Sequence, residues 1–257
     1  MRIPAIWYGT GPGKSVDSNQ MLFPQRTLSA TDLAKLSSLD TCTASNAIER
    51  LNVRPRNEGF VSGTARCQFP NLSPMIGYAA TARIRTAEPP MGGDGCYYDR
   101  MDWWNYVTSV PGPRVMVLQD VDNPPGFGAF VGEIHVAIGQ ALHCAGCVTN
   151  GAVRDLPAVK ASSFHLFAGS LAVSHSYAHI VEFGKPVEIG GLRIQSGDLI
   201  HGDRHGVHSI PLAIAPDVPA EASRVLAEEG ELIEFCKSPR FSLDGLARRL
   251  RRAAEAR

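Results

Sequence analysis

The chain has 257 residues, 25 basic and 25 acidic side chains and a formal net charge of zero; 44% of it is hydrophobic, with 25 glycines and 18 prolines. That length carries one good-sized domain or a domain with an appendage, and the charge balance excludes a general attraction to nucleic acid or to an anionic membrane. No apolar run approaches a membrane span, and no basic segment followed by an apolar core opens the chain. The six scattered cysteines therefore read as reduced thiols of a cytoplasmic protein.

Residues 1–26 form an irregular arm containing Pro4, Pro12 and Pro24. Inside it, Gly9-Thr-Gly-Pro-Gly13-Lys14-Ser15 has part of a phosphate loop, but Tyr8 stands where the first glycine is needed and no apolar strand precedes it. Nucleotide binding is not assigned there. Leu28, Leu33, Leu36 and Leu39 then mark a short helix, and Asp40 or Thr41 caps a second over residues 44–51. Residues 60–69 and 76–86 read as strands, the second alternating through Ile76, Tyr78, Ala80, Ala82 and Ile84. Residues 88–95 are a loop, and Met101 opens an aromatic-faced helix. A buried strand at 115–118 leads into a loop at 120–128, the usual place for functional loops in α/β folds.

Next comes the stretch that gathers the chemistry. Gly132-Glu133 starts a small-residue helix that the pattern carries to Ala145. A short apolar strand, the turn Asn150-Gly151 and the pair Arg154-Asp155 follow. A helix N-terminus suits an anion, an arginine grips a carboxylate with two hydrogen bonds, and an aspartate holds a hard cation. Beyond it, residues 156–161 make a helical turn, and strands fall at 164–167, 180–183, 187–189 and 192–194, the last two joined by Gly190-Gly191. Residues 199–200 and 206–211 complete the strands, and 217–252 is helical, broken at Ser238-Pro239. Alternating and then clustered strands predict a single α/β domain over 27–216, a sandwich with a mixed sheet, followed by a helical extension over 217–257.

Other groupings are read more plainly. Cys144 and Cys147 have the spacing of a redox or zinc half-site, but no second pair exists and they fall at a helix end, so they read as small buried residues. His201, Asp203, His205 and His208 resemble a metal cluster, yet Gly202 and Gly206 imply a turn between them. His175 and His179 read as a surface pair, and Arg248 to Arg252 as a solvated helix end.

Taken together, Leu39-Asp-Thr-Cys-Thr-Ala-Ser-Asn46-Ala-Ile-Glu-Arg, Gly132-Glu133, Gly151-Ala-Val-Arg154-Asp155, Pro186-Val-Glu-Ile-Gly-Gly-Leu-Arg-Ile and Gly202-Asp203-Arg-His-Gly206-Val207-His-Ser-Ile-Pro211 resemble one family. It contains the ribonuclease E activity regulators and the class II 4-hydroxy-4-methyl-2-oxoglutarate aldolases. The resemblance covers roughly 36–211. It implies an α/β/β sandwich that assembles as trimers or pairs of trimers with active sites between subunits, and a divalent cation, magnesium or manganese. On that pattern Asp155 is the metal ligand and Arg154 binds the carboxylate of pyruvate. Glu133 stands where aldolases carry an acidic residue that orients a catalytic water. The backbone at Gly132, Ile134 and His135 lies beside the substrate carboxylate. A neighbouring subunit contributes a glutamate from its C-terminal region, for which Glu231 and Glu234 are the candidates.

Asn46 in place of the common aspartate, His205 where an acidic residue is frequent, His135 beside the substrate, the N-terminal arm and the 88–98 loop depart from the pattern. The implied activity is a metal-dependent lyase that cleaves a 4-hydroxy-2-oxo acid to pyruvate, with oxaloacetate decarboxylation as a side activity. The alternatives are a non-catalytic binding protein like the ribonuclease regulators, and the same metal chemistry on another oxo acid.

Overall fold

The computed structural model describes residues 27–90 and 100–255. The 1–26 arm with its glycine-rich stretch, and residues 91–98 of the 88–98 loop together with Asp99, lie outside the described residues.

Two short helices open the fold, α1 (Ala30–Ser37) and α2 (Thr41–Arg50). Each starts at a capping side chain: Ser29 accepts from the Asp32 amide, and Asp40 from the Thr43 amide. The strands β1 (Arg66–Cys67) and β2 (Met75–Arg85) precede α3 (Arg100–Ser109), β3 (Arg114–Asp120) and β4 (Ala129–Val131). Then come α4 (Glu133–Ala141), β5 (Cys144–Thr149), β6 (Ala152–Val153), α5 (Leu156–Ala161), β7 (His165–Ala168) and β8 (Ser170–Leu171). The chain continues through β9 (His179–Phe183), β10 (Val187–Ile189), β11 (Leu192–Ile194), β12 (Leu199–Asp203) and β13 (Gly206–Ile210). It ends in α6 (Val218–Lys237) and α7 (Leu243–Glu255).

The main sheet has eight strands in the order β1-β7-β5-β3-β2-β12-β13, with β9 also pairing β2. The β7-β5-β3-β2 run is parallel, while β12, β13, β9 and β1 join antiparallel, so the sheet is mixed. Alternation sorts its side chains onto two faces. Ile76, Tyr78, Ala80, Met116, Leu118, Leu166 and Leu199 pack with the helices. Met75, Ala79, Val115, Val117, Phe167 and Ile200 pack under the β10–β11 hairpin. The result is helices on a sheet on a smaller β layer, the α/β/β order expected. A separate parallel sheet, β4-β6-β8, projects from the ends of this stack and carries the candidate site.

Three details differ from the sequence reading. Residues 60–69 form no continuous strand: Phe60 bridges His208, the Val61 amide donates to Val207, and Arg66–Cys67 pairs β7. The segment spans the two sheet edges and almost closes the sheet, so its backbone bonds go to different partners at its two ends. The helix ends at Ala141 rather than Ala145, because His143 turns left-handed (φ 57°) and Arg114 donates to the Leu142 carbonyl, freeing Cys144 to pair in β5. The two cysteines thus sit in a strand, both buried, and burial pushes the Cys144 thiol up to about 11. Finally, Gly202 lies inside β12. A Cβ there would stand 2.8 Å from the Phe167 ring, so close packing, not a turn, requires the glycine.

Candidate active site

The projecting sheet brings the two arms of the site together. One arm is β4 leading into α4, and the other is β6 leading into α5. They run parallel, Ala129 against Ala152 and Val131 against Val153, and the Arg154 amide donates to the Val131 carbonyl at 3.0 Å. Gly132 and Glu133 therefore emerge beside Arg154 and Asp155.

The carboxylate of Asp155 closes the gap. Its Oδ2 accepts from the Glu133 amide at 3.2 Å, and its Oδ1 from Arg154 Nε at 3.1 Å. Gly132 is needed for this approach: a Cβ there would lie 2.5 Å from Asp155 Oδ2 and 3.0 Å from Arg154 Cγ. Asp155 itself is left-handed, at φ 60° and ψ 32°, a conformation that costs an L-residue roughly 1–2 kcal/mol and that aspartate tolerates better than most. The ion pair does not offset that cost, because both side chains are about a third exposed (30% and 34%) and such pairs contribute about 0–1 kcal/mol.

Burial pushes the Asp155 carboxyl up, but the Glu133 N–H, Arg154 and the nearby His175 outweigh it and hold the group below the usual carboxylate range. It is an anion at neutral pH with two of about four lone-pair positions committed. One carboxylate with spare lone pairs and open space fits magnesium, which keeps several waters and takes one or two protein carboxylates. Among the described residues no cluster of three or more acidic, histidine or cysteine side chains offers a dedicated metal cage. Among the described residues Arg154 is engaged through its Nε, which leaves its two Nη groups to grip a carboxylate.

The first turn of α4 faces the same space. Glu133 and Ile134 are exposed, Ile134 at 70%. The first bond along the helix is Val136 N to Gly132 O at 3.1 Å, so the amides of Ile134 and His135 precede the helical ladder. The side chain of His135 points elsewhere. It is buried between the rings of Phe130 and Trp104, with centroids 4.9 and 5.9 Å away.

The sequence reading left His175 as half of a surface pair. The structure sets its Nδ1 3.1 Å from the Ala129 carbonyl and close enough to Asp155 to bear on its charge. Lying in a loop well downstream, it gave no spacing signal. Glu231 and Glu234 are exposed on α6, which packs against α1, α2 and α7; Glu234 pairs with Lys237 at 3.5 Å. His201 and His208 face each other across β12–β13 at 2.9 Å in the core, while Asp203 accepts from the Thr41 amide and hydroxyl and so holds the start of α2 to the sheet.

The chain is similar to known proteins in sequence and in fold. Residues 41–208 match the RraA-like family, described as Aldolase/RraA. A Halalkalibacterium halodurans protein provisionally named 4-hydroxy-4-methyl-2-oxoglutarate aldolase is 33% identical over 102 residues, 39% of this chain and 49% of its own. Protein DlpA of Legionella pneumophila is 27% identical over 110 residues, 42% of this chain. The matched region thus spans about half of the first relative and 17% of the second. An uncharacterised Pseudomonas syringae protein shares the fold at a TM-score of 0.67 and 24% identity, covering 90% of this chain and 99% of its own. Streptomyces coelicolor RraAS2, described as an unusual member of the RNase ES inhibitor RraA family, does so at 0.64 and 20%, covering 80% and 98%. With more than half of its length inside the family profile and the same fold as these proteins, the chain belongs to the RraA-like family.

Proposed function

We propose that this protein is a divalent-metal-dependent lyase that cleaves a 4-hydroxy-2-oxo acid of the 4-hydroxy-4-methyl-2-oxoglutarate type to pyruvate. The observation that carries the reading is the junction of Asp155, Arg154 and the Glu133 amide beside an open helix N-terminus. The name of the H. halodurans relative points to the same chemistry.

In this reading the Nη groups of Arg154 hold the substrate carboxylate, and the α4 amides at Ile134 and His135 favour its negative charge. Asp155 and water ligands would hold magnesium or manganese. When bound, the cation supplies Lewis-acid stabilisation of the charge that builds on the 2-oxo group. Glu133 holds a water that takes the C4 hydroxyl proton as the C3–C4 bond breaks; the electron pair stays with the pyruvate fragment, and the same water returns a proton to C3. Such acid–base help is worth about 10²–10⁴-fold. Oxaloacetate, losing CO₂ from the corresponding position, is the expected second substrate.

The working unit is a homo-oligomer, a trimer or a pair of trimers, in which Glu231 or Glu234 of a neighbouring copy reaches the site. Exposed apolar residues beside the site, Ile134 at 70%, Leu171 at 58% and Val173 at 96%, support assembly around it.

The test is pyruvate release from 4-hydroxy-4-methyl-2-oxoglutarate and from oxaloacetate, with magnesium, with manganese and with excess chelator. Metal-dependent release that Arg154→Ala abolishes without altering the oligomer is the expected result. No release from either acid by a folded, metal-binding oligomer would sink the reading in favour of another oxo acid or of a regulator. Direct binding to the ribonuclease separates those two.

A further inference from the structure

Asp120 ends β3 without touching Arg154 or Asp155 in any hydrogen bond or ion pair among the described residues, yet it is bonded to both arms of the site. It is 2% exposed. Its Oδ2 accepts from the Gly126 amide at 2.8 Å and stands 3.5 Å from Thr86 Oγ1, and its Oδ1 accepts from the Asp122 amide at 3.1 Å. Thr86 Oγ1 in turn accepts from the Gly128 amide at 3.0 Å. The loop so held runs directly into β4 and delivers Gly132 and Glu133.

On the other side, the backbone of Asp120 is clasped by one side chain. Its amide donates to Asn150 Oδ1 at 2.7 Å, and its carbonyl accepts from Asn150 Nδ2 at 2.9 Å. Asn150-Gly151 begins the short path through β6 to Arg154 and Asp155. The contact there is tight, since a Cβ on Gly151 would lie 3.0 Å from the Asp120 Cβ.

We propose that Asp120 is a positioning residue that sets the two arms of the site in register. Its backbone fixes where the Arg154–Asp155 arm leaves the sheet, and its carboxylate fixes where the Glu133 arm does. The proposal rests on the reading of those residues as the working site. A carboxylate is the group the geometry asks for, because two backbone N–H donors approach two different oxygens and only an acceptor-only group satisfies both. An asparagine of the same shape would turn an NH₂ toward one of those donors.

The Glu133 amide reports directly on the register, because its acceptor is Asp155 Oδ2. In Asp120→Asn, measured in the full chain by amide hydrogen exchange, Gly126 and Glu133 are expected to exchange about tenfold or more faster, while Val117 and Leu118 in β3 keep their protection. Asn150→Ala cuts the clasp from the other side and is expected to release the same Glu133 amide. Asp122→Asn is the control: Asp122 accepts from the Thr86 and Ala87 amides, so its loss should loosen those positions and leave Glu133 unchanged. In pyruvate release, Asp120→Asn should lower kcat about tenfold or more with KM changed far less. Faster exchange confined to Gly126, or protection lost throughout β3, would overturn the proposal. So would an Asn150→Ala protein with a fully protected Glu133 amide. If the parent protein releases no pyruvate, the functional reading fails while the exchange measurement still decides the role of Asp120.

Discussion

At the scale of single residues, Gly132 is the most exposed to test. It precedes α4 with extended backbone at φ −143°, so alanine meets no conformational penalty there. The obstacle is the Asp155 oxygen 2.5 Å from the added Cβ. We expect Gly132→Ala to push the carboxylate away, to lower pyruvate release by about tenfold or more, and to leave the thermal midpoint within a few degrees. Equal losses of midpoint and activity would mean that the glycine serves the fold. Asp203 is the converse case. It is buried, and burial pushes its carboxyl up, but the hydroxyl and amide of Thr41 hold it below the usual range. Asp203→Ala strands two donors at the start of α2, and a loss of about 2–4 kcal/mol is expected in urea unfolding, with turnover per folded molecule unchanged.

At the scale of elements, the β12–β13 hairpin carries a pH dependence. Burial pushes His201 down to about 4 and His208 to about 3, from an ordinary 6.5. Both are neutral, folded or unfolded, above pH 6.5. As pH falls below that, the unfolded chain takes up protons that the folded pair refuses, so stability declines from about pH 6.5 toward 4. The two groups together should cost on the order of 2–4 kcal/mol between pH 7 and pH 5. Urea midpoints at the two values measure it, and His208→Asn should shrink the difference; an unchanged difference would exclude the pair as its source. The α2–α6 contact is built otherwise. Arg50 pairs with Glu221 and Glu228, and Asn46 donates to Glu229 at 3.2 Å. An aspartate at 46, the commoner residue in the family pattern, would face Glu229 with like charge.

At the scale of the whole molecule, the proposed assembly is open to a direct test. Val173 is almost fully exposed and follows the β8 strand that pairs β6 next to Arg154. A charge there faces water in a lone subunit and loses its hydration in an interface. Val173→Asp is expected to shift the protein to a smaller species in light scattering and to reduce turnover with it. A variant that keeps both size and activity would remove this face from the interface.

Much of this protein was legible in its residues because the deciding forces are local. Asp40 caps a helix from its own position, the alternation along β2 sorts itself onto two faces, and Gly190-Gly191 closes a hairpin between neighbours in the chain. That Arg154 and Asp155 stand as neighbours shortly after a turn was legible for the same reason. What the tertiary structure decided depends on partners distant in sequence. The turn implied by Gly202 and Gly206 is present at Arg204–His205, but Gly202 itself belongs to β12, because the Phe167 ring that excludes its side chain lies on another strand. Cys144 was placed in a helix because the Arg114 side chain that ends α4 comes from β3. His135 turned inward because Trp104 and Phe130 form a slot for its ring. The Glu133 amide met the Asp155 carboxylate only because β4 and β6 run side by side. Local propensity sets what a segment can be, and long-range packing sets which atoms it meets.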